Sequence, residues 1–135
     1  MKFPGVVVGT EISIRRDITE SHTRGNHLPE GMLPLFSTPA LVAMMIEASV
    51  RMIDPSLPDG FISVGKSAEV THDHPSVVGD TVTLTVRIAE FDGYHIGIAM
   101  EAHDHRGLVG HGRHVRTIVN KHWTELKIAR RISET

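Results

Sequence analysis

The stretch that most constrains this chain is residues 35–49, Leu-Phe-Ser-Thr-Pro-Ala-Leu-Val-Ala-Met-Met-Ile-Glu-Ala-Ser, which reads as a capped helix apolar on nearly every side. Thr38 suits the N-cap, where its hydroxyl accepts from a free first-turn amide, and Pro39 then falls at the first helical position, where a missing N–H costs nothing. Charged side chains return only at Glu47 and Arg51. A helix apolar all round belongs inside other structure, and a run of roughly 15 residues is too short to span a bilayer. The pattern predicts one buried helix over residues 38–53, with a hydroxyl at its mouth.

The remaining chain must supply what encloses that helix. A length of 135 residues predicts a single domain over 1–135, large enough for a core without staples. Cysteine is absent, which removes disulfides, thiolate ligands and a cysteine nucleophile, and suits a reducing compartment. The apolar patch at residues 1–9 is too brief, and too broken by Pro4 and Gly5, for a signal peptide, so the cytoplasm is expected. A net charge of −2 and a pI near 6.5 offer no basic footprint for nucleic acid or an anionic membrane. A small anionic ligand needs only a local patch, for which Arg113, Arg116, Lys121, Arg130 and Arg131 are candidates.

Residues 10–15 alternate polar and apolar and predict a strand with one buried face. Residues 20–36 carry Gly25, Pro29, Gly31 and Pro34 without period, a loop of functional length with room for a short helical turn. After Asp54–Gly60 ends the helix, the period changes to two. Strands are expected over 61–72, 80–88, 94–102 and about 108–119, with turns at Asp92-Gly93 and around Asp104–Gly107, and then a short amphipathic helix over 121–135. The order is strand, loop, helix, then four antiparallel strands read as a meander. A single sheet has one face to bury and one helix to bury it on, so the expected fold is α+β: a curved antiparallel sheet wrapped around the helix, the hot-dog architecture.

Three segments in this order carry a resemblance: 37–45 at the helix start, 64–72 followed by Pro75 and 79–82, and 110–116. Over roughly residues 10–122 the chain resembles the hot-dog thioesterases of the fluoroacetyl-CoA thioesterase type. The resemblance implies hydrolysis of a small-molecule acyl-CoA thioester, with CoA as part of the substrate and no separate cofactor or metal. It also implies a homodimer with sites at the subunit interface. By residue, it implies a catalytic threonine at Thr38, a histidine at His72, and site positions at Gly65 and Arg116. Phe36, at the end of the long loop, is the candidate to line the acyl pocket. The family's helix glutamate stands eight residues after the threonine, which here is Ile46; Glu47 comes one residue later. At about 100° per residue Glu47 projects some 180° from Thr38, and it lies four residues before Arg51. Glu47 is thus a candidate third catalytic residue with an ion pair to Arg51 as its alternative.

A histidine suits the base role because its ordinary pKa lies near neutrality, and amides at a helix start stabilise developing negative charge. Each residue also has a structural reading. Thr38 can be only an N-cap, His72 only one of ten histidines, Gly65 a bulge or a point of close approach, and Arg116 half of a surface pair. His103 and His105 share a strand face, and could chelate a metal, only if the strand persists there. With Ile46 at the acid's place, the alternative function is a non-catalytic module that binds an acyl thioester or other small apolar ligand.

Overall fold

In the computed structural model, which describes residues 2–134, the apolar run is helix α1, Thr38–Ile53, α-helical without a break. Its cap is Ser37, not Thr38: the Ser37 hydroxyl accepts from the Ala40 N–H at 3.1 Å, and Thr38 is already the first helical residue. Either hydroxyl satisfies the local rule; the choice frees the Thr38 side chain. Leu41, Met44, Met45, Ala48, Met52 and Ile53 are buried, the five larger side chains each contributing about 1.5–3 kcal/mol of transfer free energy. The helix is not enclosed on every side, as its apolarity suggested. Pro39 and Ala43 are exposed, and Val42, Ile46 and Val50 are half-buried, which leaves an apolar stripe along one face.

The sheet is formed by β1 (Glu11–Asp17), β2 (Phe61–His72), β3 (Thr81–Phe91), β4 (His95–Asp104) and β5 (Gly107–Asn120), all antiparallel. Its spatial order is β1-β3-β4-β5-β2. The expected four-strand meander is therefore three strands, β3-β4-β5, because β2 crosses to the far edge and pairs with β5. Alternation along β3 buries Val82, Leu84, Val86 and Ile88, and β4 buries Ile96, Ile98, Met100 and Ala102, so one face of the sheet meets α1. The Asp92-Gly93 turn holds as expected, with the Asp92 carboxylate accepting from the Tyr94 and His95 amides.

Two glycines let β2 and β5 pack closely, and the first of them also admits the helix. A Cβ on Gly110 would stand 2.8 Å from the Thr71 carbonyl oxygen and 2.9 Å from a Leu41 methyl; on Gly112 it would stand 2.3 Å from the Glu69 carbonyl oxygen. The close packing brings the end of β2, and with it His72, over the start of α1. The long loop holds a 3-10 turn at Glu20–Thr23 and is pinned by Phe36 N–H donating to the Ser76 carbonyl at 2.8 Å. Helix α2, Lys121–Ser133, follows β5 and buries none of its residues; of the segment expected to be helical, Thr135 lies outside the described residues, as does Met1 of the N-terminal patch.

Candidate active site

Freed from capping, Thr38 Oγ1 lies 3.0 Å from His72 Nδ1. One residue comes from the start of the helix and the other from the last position of β2, 34 apart in sequence. The Thr38 N–H has no acceptor among the described residues, since Ser37 takes the Ala40 amide and Pro39 has none. The helix start therefore presents a hydroxyl and one free amide side by side.

Both residues face a cleft of about 250 Å³, whose apolar wall is Leu28, Leu35, Phe36 and Pro75 and whose polar rim includes Asn26, Asp73 and His74. Phe36 is buried and meets the His72 ring edge-on, with centroids 5.8 Å apart at 73°. The Asn26 amide props the loop by donating to the Leu35 carbonyl at 2.6 Å. Burial pushes the His72 pKa below its ordinary 6.5, while Asp73 pulls the other way. His72 is thus neutral at pH 7 and able to accept a proton. Its Nε2 is buried and has no hydrogen-bond partner among the described residues.

Thr38, His72 and Phe36 are brought together; the other expected site residues are elsewhere. Glu47 is held by Arg16 and, at 3.2 Å, by Arg51, on the side of α1 away from Thr38 and about 14 Å further along its axis. No irregularity in the helix brings it back. Gly65 pairs with Arg116 across β2 and β5, seven residues or about 23 Å along the strand from His72. Gly65 marks a bulge, with the register shifting between it and Ser67. A Cβ there would meet His114 and Arg116 only at ordinary contact distance, so nothing within this chain demands a glycine.

Arg116 does not pair with a surface acid. It is buried, donating from Nε to Ser63 Oγ and from Nη2 to the Ser63 carbonyl, both at 2.7 Å, and from Nη1 to His114 Nε2 at 3.0 Å. Ser63 Oγ in turn donates to Asp54 at 2.5 Å, and His114 Nδ1 donates to the Ser67 carbonyl at 2.7 Å. The acceptor role of Nε2 fixes His114 as a neutral ring, and burial with the Arg116 charge beside it lowers its pKa. His105 lies beyond β4, so it shares no strand face with His103. The sequence reading passed over Asp73, whose only local signal is its place next to His72.

A five-stranded antiparallel sheet packed on one helix defines a hot-dog domain, with a threonine–histidine pair on a cleft where the helix begins. The chain belongs to the fluoroacetyl-CoA-specific thioesterase family, whose model matches residues 18–122. It is 33% identical to a fluoroacetyl-CoA thioesterase from Streptantibioticus cattleyicolor over 86 residues, which span 64% of this chain and 62% of that protein. A solved hot-dog-like protein from Thermanaerovibrio acidaminovorans is 32% identical, with a TM-score of 0.87 over 96% of this chain and 93% of that one. A fluoroacetyl-CoA thioesterase structure is 26% identical, with a TM-score of 0.82 over 93% and 96% of the two chains.

Proposed function

We propose that this protein hydrolyses small acyl-CoA thioesters at the Thr38–His72 site. The observation that carries the reading is the 3.0 Å hydrogen bond from a helix-start hydroxyl to a neutral, cleft-lining imidazole. His72 Nδ1 takes the Thr38 proton as Oγ1 attacks the thioester carbon, and the free Thr38 amide stabilises the oxyanion. Collapse expels the CoA thiolate, which takes the proton from His72. Water, deprotonated by the same nitrogen, attacks the acyl-Thr38 ester, and His72 returns that proton to Thr38 Oγ1 as the acid leaves. Side chains run every step, and CoA enters only as part of the substrate.

The working unit is a homodimer. Gly65 and Arg116 lie too far from His72 to serve the same chain's cleft, and a two-fold pairing lets each chain supply that end of β2 to the other's site. The half-buried apolar stripe at Val42, Ile46 and Val50 and the edge position of β2 support such an arrangement. Among the described residues no helix is long and apolar enough to cross a membrane. The cysteine-free sequence is compatible with the reducing cytoplasm, where we place the protein.

Steady-state hydrolysis across a panel of acyl-CoAs tests the reading. His72→Ala should lose about 100- to 10,000-fold in turnover with its fold intact. Parent protein that is stabilised thermally by an acyl-CoA yet turns none over would instead support a binding module, the role that Ile46 at the family's acid position favours. Sedimentation of a stable monomer at micromolar concentration would count against the dimer.

A further inference from the structure

When His72 accepts a proton it becomes a cation in a site that disfavours cations, because burial already lowers its affinity for the proton. Its Nε2 has no partner among the described residues to share that charge. The helix offers no remedy: Ile46 is apolar, and Glu47 is committed to Arg16 and Arg51. One carboxylate does line the cleft, that of Asp73.

Asp73 is held in place from two directions. Its N–H donates to the Val109 carbonyl at 2.8 Å, and its Oδ2 accepts from His111 Nδ1 at 2.7 Å, across from β5. Its side chain is only 23% exposed, and Oδ1 has no partner among the described residues. The titratable groups around His72 are Asp73 and His74 from the turn after β2 and His111 from β5; α1 and the loop before it offer only the uncharged Thr38, Asn26 and Phe36. His74 Nδ1 is engaged with the Leu108 carbonyl at 2.9 Å.

We propose that Asp73, oriented by His111, is the positioning carboxylate of this site and stabilises protonated His72 in place of a helix acid. The proposal rests on the thioesterase reading and deepens it. Asp73 makes no hydrogen bond to His72; it acts through its charge and the fixed place from which that charge is felt.

The test pairs an NMR titration of the His72 ring, in substrate-free protein, with pH profiles of kcat and kcat/KM on acetyl-CoA. In Asp73→Asn the His72 pKa should fall by about half a unit to one unit, with the acid limb of kcat/KM moving down alongside it. Turnover should drop about ten-fold while KM stays within about two-fold. Asp73→Glu should restore most of both readouts. His111→Ala, which keeps the charge but frees it, should move them the same way by less, and it remains informative if Asp73→Asn does not fold. An unmoved His72 titration in Asp73→Asn, or in His111→Ala where Asp73→Asn does not fold, overturns the proposal, as does a shift with no change in turnover or acid limb. A parent inert toward every acyl-CoA overturns the thioesterase reading, and this role falls with it; an unmoved His72 in an active parent removes this role alone.

Discussion

Ser37 and Thr38 are adjacent hydroxyls at one helix start; Ser37 caps the helix, the proposed mechanism makes Thr38 the nucleophile, and two substitutions separate these duties. Ser37→Ala removes the cap from α1 and leaves the Ala40 N–H without its acceptor at a position where Ser37 itself is fully buried. A lost cap costs about 1 kcal/mol, and the unmet donor raises the total to about 1–2 kcal/mol. For a chain of this size that is a fall in Tm of roughly 3–6 °C. Thr38→Val keeps the shape and removes only the exposed hydroxyl, so its stability should stay within about 1 kcal/mol of the parent. Activity should respond in reverse. Ser37→Ala should keep turnover within a few-fold, whereas Thr38→Val should lose at least about 100-fold, with Thr38→Ser largely retaining it. Differential scanning calorimetry and steady-state acyl-CoA hydrolysis on the same preparations give both readouts. If Thr38→Val melts some 5 °C low with turnover intact, Thr38 is the cap after all and the site has lost its nucleophile.

Glu47→Gln should leave turnover within a few-fold and cost no more than about 1 kcal/mol, because both of its ion pairs are substantially exposed; a loss of two orders of magnitude at unchanged Tm would return Glu47 to the site. Gly112→Ala should destabilise by about 3 kcal/mol or more, since its Cβ would meet the Glu69 backbone oxygen and open the β2–β5 ladder; a chemical denaturation midpoint like the parent's would contradict that contact. Stability should be pH-dependent through His72 and His114, whose native pKa values both lie below 6.5. The unfolded chain then binds more protons, so stability is complete above about pH 6.5 and declines as pH falls from there through the lowered native values. Denaturant titrations at pH 7.5 and 5 should show that decline, and it should shrink in His114→Gln.

Much of this fold is legible in one dimension. An apolar run behind Ser37-Thr38-Pro39 and before Asp54-Pro55 specifies α1 residue for residue, and period-two alternation specifies β3 and β4, because each signal is local to the element it describes. The four-residue spacing of Glu47 and Arg51 likewise announced their ion pair, though not the part Arg16 plays from β1. Strand order was not legible: β2 and β3 are consecutive yet unpaired, because pairing is decided by which edges meet once the sheet closes on the helix. The same limit governs the site. Sequence places a hydroxyl at the helix mouth and a histidine at a strand end, but the capping preference for a hydroxyl side chain fits Ser37 and Thr38 alike. Only the packing of β2 and β5 over α1, where Gly110 leaves room for Leu41, put an imidazole within reach of one hydroxyl and left the other to the helix. Arg116 reads as a surface cation and folds into a buried brace, and Asp73 reads as a turn residue and folds onto the cleft, since a charged side chain's duty is set by neighbours that arrive from distant parts of the chain.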